Sequence, residues 1–173
     1  MIKYTDIRTA VVSGLNQYIN LPVIMLEQVA EKPGYPFVGY KFTTPYNPEA
    51  GQAAETGTNV PSADPAFTED YEYTRTDQPT MTISITAYSK DSDQAHELAL
   101  QARSWCAFHG YEHLKKHNII VAQLGALQNR DTLIVGDYER RQGFDAVLRV
   151  TSQVKRTVPL VDIVGCGYRV KGE

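Results

Sequence analysis

Three of the four histidines lie within residues 109–117, and this is the segment whose residue types could bind a metal ion. The string His-Gly-Tyr-Glu-His at 109–113 has the His-x-x-Glu-His order of one class of metalloproteases. On an uninterrupted helix the three histidines would be spaced i, i+4 and i+8 and would share one face. The candidate ligands are His109, Glu112, His113 and His117.

Two features argue against a metal at this position. Gly110 interrupts the string where a helix is expected to end, and the adjacent Lys115 and Lys116 would repel a cation. We therefore interpret residues 109–117 as a polar helix end and predict no bound metal. A metal-dependent hydrolase is kept only as the least favoured function.

Other catalytic motifs fail on spacing or context. Ser152 and Lys155 satisfy Ser-x-x-Lys, but they lie in an alternating, strand-like segment, where positions three apart point to opposite faces. Residues 165–167, Gly-Cys-Gly, begin like a dinucleotide-binding fingerprint, yet the third glycine is misplaced and no helix is predicted to follow. The sequence has no phosphate-binding Gly-x-x-x-x-Gly-Lys-Ser/Thr loop and no Gly-x-Ser-x-Gly elbow. It therefore predicts neither an enzyme nor a cofactor.

The composition is that of an ordinary globular protein. The 173 residues are 42% hydrophobic and 21% charged, so we expect a single domain over residues 1–173. Lys and Arg number 17 against 20 Asp and Glu, and the net charge of -3 argues against a general nucleic-acid binder. Nucleic acid could still move past such a surface without binding to it.

Cysteine and tyrosine usage adds two further expectations. Cys106 and Cys166 are too few for a disulfide framework or a four-ligand zinc site, so both are expected to be reduced, with Cys106 in the core. The 11 Tyr against 5 Phe are typical of half-exposed strands and, more weakly, of interfaces. With no secretory signal and no apolar run that spans a bilayer, the protein is expected to be soluble and made in the cytoplasm.

Periodicity predicts two main helices and several strands. Apolar residues at three- and four-residue spacing predict helices over 5–20 and from Asp91 or Ser92 to about His109. Strict alternation over 80–88 predicts a strand with one face in the core and one in water. The other predicted strands are residues 22–28, 36–43, 119–124, 132–136, 138–141 and 144–155. The C-terminal segment, 158–173, is predicted to be an arm or a final strand.

Residues 44–66 have a different character from the segments around them. They contain four prolines and two glycines with almost no apolar periodicity, so they are predicted to form a loop far longer than the usual connection of about five residues. An acidic stretch at 64–77 follows, and its simplest interpretation is a solvated edge strand.

The order of the elements predicts an α+β fold. Clustered strands with two well-separated helices indicate a single, mostly antiparallel β-sheet with both main helices packed on one face, plus the long loop. The regular strand–helix alternation that a doubly wound fold requires is absent.

Four stretches of the chain resemble one protein family in their order and in their local sequence. They are PVIMLEQ at 22–28, YPFVGYKF at 35–42, the strand and capped helix at 80–105, and DTLIVGDYERRQGFDAVLRV at 131–150. Together they resemble the phage tail terminator or neck terminator proteins, also called tail-completion proteins. The resemblance covers most of the chain outside 44–66.

The resemblance implies a small α+β domain that forms a ring of six at the head-proximal end of a phage tail. Such a ring stops polymerisation of the tail tube and joins the tail to the head, without catalysis. The implied partners are other copies of the chain, the tail-tube protein, the head-side neck or stopper protein, and double-stranded DNA that passes without specific binding. Another virion joint, such as a head-completion stopper or a tail-tube subunit, is the alternative.

Two sets of residues are candidates for these roles. Because a basic lining would bind the phosphates of passing DNA, an acidic segment is predicted to face the lumen: Glu69, Asp70 and Glu72. Adjacent arginines on a strand point to opposite faces, so one could reach a carboxylate of a neighbouring subunit. The predicted interface residues are Tyr138, Glu139, Arg140, Arg141 and Asp145. The alternative for this second set is a local surface salt bridge.

Overall fold

The structure, a computed structural model, describes residues 3–29, 31–48, 51 and 53–160. The predicted C-terminal arm at 158–173 is described only to Leu160, and Cys166 lies outside the described residues. The helices of the described part are α1 (Tyr4–Ile19), α2 (Ser92–Ser104) and α3 (Tyr111–Lys116), and a π-helical turn (Trp105–His109) follows α2 directly.

Local hydrogen bonds mark the start of α2 and the end of α1. The Asp91 side chain accepts a hydrogen bond from the backbone N–H of Asp93 and so caps the start of α2. Asn20 takes a left-handed conformation at the end of α1 and donates its backbone N–H to the Asn16 carbonyl. Both predicted main helices are confirmed.

Seven strands form the main sheet in the part of the chain that the structure describes. Its path is β1 (Val23–Met25), β2 (Phe37–Asn47), β5 (Thr80–Ser89), β9 (Asp137–Val150) and β6 (Ile119–Leu124). Two short strands, β7 (Gln128–Asn129) and β8 (Thr132–Ile134), also pair with β9. The pairing is antiparallel except between β1 and β2.

Alternation along the central strands places the hydrophobic core on one face of the main sheet. Ile85 of β5 pairs with Tyr40 of β2 and Phe144 of β9, and all three are buried. The helices cover this face with Ile7, Ala10, Val11, Leu15 and Ile19 of α1 and with Ala95, Leu98, Ala99 and Ala102 of α2. The α+β class, the mostly antiparallel pairing and the two main helices are therefore confirmed.

A second sheet of three strands extends from the end of the main sheet. We call this sheet the arm, and from here on the name does not refer to the predicted C-terminal segment 158–173. In it, β4 (Glu69–Asp77) lies between β3 (Ala54–Pro61) and β10 (Ser152–Pro159), and both pairings are antiparallel. Residues 78–79 join β4 to β5, and Thr151 joins β9 to β10, so the β5–β9 ladder continues into the arm as the β4–β10 ladder. No arm residue that the structure describes belongs to the hydrophobic core.

The prediction of a long loop over residues 44–66 is wrong for much of that segment. β2 continues to Asn47, and β3 occupies 54–61, so a second sheet accompanies the one that was expected. The sequence pattern missed β3 because this strand is exposed along almost its whole length, so its sequence shows no alternation of apolar and polar residues. Main-chain pairing with β4 defines it instead.

Gly14 gives a test of how α1 is seated on the π-helical turn. A Cβ at this position would lie 2.6 Å from ring atoms of both Trp105 and His113. Gly-to-Ala changes inside helices usually stabilise by about 1 kcal/mol, but overpacking costs about 1–3 kcal/mol. We therefore expect Gly14→Ala to lower the free energy of unfolding, measured by urea denaturation. Gln17→Ala, at an exposed position of the same helix, should change it little. Stabilisation by Gly14→Ala would contradict this seating.

Candidate subunit interface

Glu139 is a buried carboxylate at the start of β9, within the predicted interface set. Its side chain is 2% exposed and lies on the face of β9 turned away from α1 and α2. Arg141, two residues further along the same face, donates to one carboxylate oxygen, and the Tyr35 hydroxyl donates to the other. The Lys32 Nζ lies 3.6 Å from Glu139 Oε1. The charges of Glu139 and Arg141 are therefore satisfied inside one subunit.

These contacts set the ionisation of the pair Glu139 and Tyr35. Burial alone would raise the pKa of Glu139, but the hydrogen bonds from Tyr35 and Arg141 and the positive charge of Arg141 hold that pKa below its ordinary value. Burial, followed by the hydrogen bond to Glu139, raises the pKa of Tyr35 to about 12. At neutral pH, Glu139 is a charged acceptor and Tyr35 is a neutral donor.

A second carboxylate, Asp131, holds the base of the hairpin that β8 and β9 form. Its Oδ1 accepts the backbone N–H of Arg141 at 2.7 Å, and its Oδ2 accepts Arg140 Nη1 at 3.1 Å. Burial would raise the pKa of Asp131, but these hydrogen bonds outweigh it and lower that pKa. The Arg140 guanidinium also lies over the Tyr138 ring, 5.0 Å from its centre. Asp131 therefore fixes the hairpin base through Arg140 and the backbone of Arg141.

Asp145 was predicted as an acceptor for an interface arginine, and within the subunit it accepts from Arg130. Arg130 Nη2 lies 3.0 Å from Asp145 Oδ1, and Nη1 donates to the hydroxyls of Ser84 and Thr86 at 2.7 and 3.0 Å. Arg130 thus bridges β5 and β9 on the polar face of the main sheet. The predicted interface residues are divided between this cluster and the one at the start of β9.

Besides the hydroxyls of Ser84 and Thr86, sequence reasoning missed Lys32, Tyr35, Arg130 and Asp131 as members of these clusters. Arg130 and Asp131 lie shortly before β9 in the chain, so their closeness to the predicted interface residues was a usable signal. Tyr35 is 104 residues away from Glu139, and no local pattern indicates that the two side chains meet.

The predicted lumen residues lie on β4, which is the central strand of the arm and not an edge strand. Alternation places Asp70 and Glu72 on one face and Glu69 on the other. Glu72 accepts from Lys155 Nζ at 2.8 Å, and Glu69 accepts from Asn59 Nδ2 at 2.9 Å. Asp70 Oδ1 is shielded from solvent and has no hydrogen-bond partner in the described part of the chain.

Residues 109–117 do not form the uninterrupted helix that a His-x-x-Glu-His site requires. The π-helical turn ends at His109, and α3 begins only after Gly110. His113 Nε2 donates to the Ala10 carbonyl at 2.9 Å and ties α3 to α1. Among the residues that the structure describes, no group of three or more His, Cys, Asp or Glu side chains is placed to hold a metal ion.

Cys106 occupies the π-helical turn and points into the core. Burial raises the pKa of its thiol to about 12, so the thiol stays protonated at neutral pH. The prediction of a small core residue at this position is confirmed.

The comparison with known proteins decides the family. A family model described as phage neck terminator protein matches residues 9–170 of the 173-residue chain. The chain belongs to the phage neck terminator protein family. A search of curated proteins finds no match. As a member of a family of structural proteins, this neck terminator chain is a structural protein of the virion neck or tail. None of the helices in the described ranges is long and apolar enough to cross a membrane.

In this neck terminator chain, the Glu139–Arg141 pair should carry stability that depends on pH. Arg141→Ala leaves a buried carboxylate without its charged donor, and we expect a loss of about 3 kcal/mol in the free energy of unfolding at neutral pH. The folded-state pKa of Glu139 lies below its ordinary value of 4.5, so the contribution is complete above that value and disappears as the pH falls through the folded-state pKa. Wild type and variant should therefore converge in acid, as measured by urea unfolding across pH.

The control for this prediction is Arg140→Ala. Arg140 is more exposed, and its partner Asp131 keeps the backbone hydrogen bond from Arg141, so we expect a loss of about 1 kcal/mol or less. Arg141 also lies over the Tyr88 ring, 5.3 Å from its centre, and this contact does not depend on the charge of Glu139. Equal losses for the two variants, or a gap between wild type and Arg141→Ala that does not shrink in acid, would contradict the role given to Glu139.

Proposed function

We propose that the protein forms a homo-hexameric ring at the head-proximal end of the tail. The ring ends polymerisation of the tail tube and joins the tail to the head-side neck or stopper protein. The chain is made in the host cytoplasm, acts without catalysis or a cofactor, and is incorporated into the virion. The observation that carries this proposal is the arm, because it lacks the packing that a stable sheet needs.

The arm requires a partner outside its own subunit. A small antiparallel sheet is stable only when it has a hydrophobic face or packs against another element. The side chains of β3 are exposed except at Val60, those of β10 are exposed except at Ser152, and the core contains no described residue of either strand. In a protein of the virion neck, the available neighbours are other copies of the chain and the adjoining rings.

One face of the arm has the residue types of a protein interface. Tyr71 and Tyr73 lie there with their ring centres 4.7 Å apart, and the Arg156 guanidinium covers the Tyr73 ring at 5.2 Å. Gly57 lies beneath the Tyr71 ring, where a Cβ would collide with that ring. Tyr and Arg are enriched at interfaces. We assign this face, the tyrosine face, to contact with a neighbouring subunit or ring.

The start of β9 supplies further candidate contacts for ring formation. Tyr138 is 52% exposed, and Arg140 lies against its ring, so these two residues are the outward members of the predicted interface set. Glu139, Arg141 and Asp145 support them from within the subunit through the ion pairs described above.

The opposite face of the arm is proposed to border the channel for double-stranded DNA. It carries Asp70 and Glu72 against Lys155, and the excess of negative charge there keeps passing DNA from binding. Glu69 points to the other face but begins β4 at the free end of the arm, so it can border the channel at that end. DNA is thus a passing neighbour and not a ligand.

Ring formation can be measured directly on the purified protein. We expect a light-scattering mass of six times 19.3 kDa and ring-shaped particles in negative stain. Replacing Tyr71 and Tyr73 with Ser should weaken either ring formation or the capping of purified tails, according to which neighbour the tyrosine face contacts. The helical circular dichroism should stay unchanged, because neither side chain is in the core. Long tubes would favour a tail-tube subunit instead. A monomer both in isolation and with purified tails would contradict the ring.

The lumen assignment predicts an asymmetry between the two faces of the arm. Asp70→Lys with Glu72→Lys should leave assembly intact but make the rings retain double-stranded DNA at low salt and reduce DNA delivery by phage that carry the change. Glu55→Lys with Asp77→Lys, two charge reversals on the tyrosine face, is the matched control and should do neither. Normal infectivity of the double variant would contradict the assignment, as would equal DNA retention by the control.

A further inference from the structure

The hairpin of β8 and β9 ends in an exposed apolar tip. Leu133 and Ile134 are exposed, and Val135 at the turn is fully exposed. Val135 and Gly136 have positive φ angles of 41° and 85°. We call residues 133–135 the tip.

The residue at the turn is unfavourable for an isolated subunit on two counts. A β-branched residue is strained at positive φ, where hairpin turns favour Asn-Gly or Asp-Gly. A fully exposed valine also gains nothing from burial. Strain that persists at an exposed position is typical of a functional contact, because only a partner gives a valine there an advantage over asparagine.

The base of the hairpin holds the tip in a fixed position. Asp131 accepts from both the backbone of Arg141 and the side chain of Arg140, and the Arg130 N–H donates to the Arg141 carbonyl at 2.8 Å. A tip presented in this way loses little conformational entropy on docking.

A groove of matching character lies beside β6, the edge strand of the main sheet. It has a volume of about 270 Å³ and lies between β6 and the helical segment around Ala107 and Tyr111. Its apolar lining includes Ala107, Tyr111, Leu114, Ile120, Val121 and Leu124. Tyr111 and Ile120 are exposed at its rim.

The tip and the groove lie at opposite ends of β9. β6 pairs with residues 146–150 at the end of that strand, whereas the tip precedes its first residue, Asp137. From Asp137 to Ala146, where β6 begins to pair, β9 spans roughly 30 Å at about 3.4 Å per residue, so a tip cannot reach the groove of its own subunit. The tip of a second copy can reach this groove. Because the tip and the groove lie at opposite ends of one subunit, contacts between them produce head-to-tail association.

We propose that the tip of each subunit inserts into the groove beside β6 of the next copy in the ring. This inference rests on the proposed ring and names the contact that closes it. The occupant of the groove is thus a second copy of the chain.

The decisive variant is Val135→Asn, which removes the apolar group while suiting the turn. We expect the thermal midpoint of the monomer to be unchanged or higher, whereas the concentration for half-assembly rises at least about tenfold, a modest effect for an interface anchor. Val29→Asn, at another fully exposed valine, is the matched control and should assemble as wild type. A Val135→Asn protein that assembles as wild type would overturn the inference.

A mixing experiment identifies the partner of the tip. Ala107→Glu, at an exposed position in the groove, should block the hole and leave the tip intact. At a concentration where wild type assembles but which lies below the raised half-assembly concentrations of the variants, each variant alone should be monomeric. An equimolar mixture should stop at a 1:1 heterodimer, because only one intact tip–groove pair is possible. Heterodimer formation supports the inference. A mixture that stays monomeric overturns it.

Two further outcomes separate this inference from the proposed function. If Val135→Asn forms normal rings that no longer cap purified tails, the tip contacts the tail tube, and the assignment to a second copy is overturned while the ring stands. If wild type forms no ring either alone or on tails, the proposed function itself is overturned.

Discussion

The pairing of β5 with β9 is the constraint on which the rest of the structure depends. It runs from Thr80 opposite Arg149 to Ser89 opposite Arg140 with no shift of register. A slip of one residue would exchange the faces of β9, moving Phe144 out of the core and a charged neighbour into it. Because β4 and β10 extend the same ladder, the register that defines the core also sets which side chains of the arm share a face.

The same register explains why charges on β9 are paired within the subunit. Odd-numbered positions carry Glu139, Arg141 and Asp145 to the polar face, where Arg130 and Tyr35 complete their hydrogen bonds. Charges that already have such partners gain little by changing them, since a new contact would first break an existing one. The surfaces that we propose for association are therefore the aromatic and apolar ones, on the arm and on the hairpin tip.

Sequence patterns predicted the elements that have one apolar face and missed those that have none. α1 and the strand at 80–88 have clear periods because each packs one apolar face on the core. The second face of that strand, predicted to lie in water, is buried at Ser84 and Thr86, where Arg130 donates to both hydroxyls. β3 is exposed on both faces, so the sequence around Gly57 has no period to detect. The predicted strand at 144–155 divides at Thr151, where the chain passes from the main sheet to the arm. Contacts across long sequence separations, such as Tyr35 with Glu139, have no local signature.

In the ring that we propose, the arm and the tip divide two tasks. A head-to-tail contact through the tip concerns only neighbours within one ring, and such contacts either close or continue as a filament. The arm extends beyond the helices and the core, so it can contact an adjoining ring without altering the tip–groove contact. Exposure of the arm to solvent is unfavourable, and so is exposure of the tip. Each of these surfaces therefore favours association with its own partner. This separation would let the ring close as one step and join the tail as another.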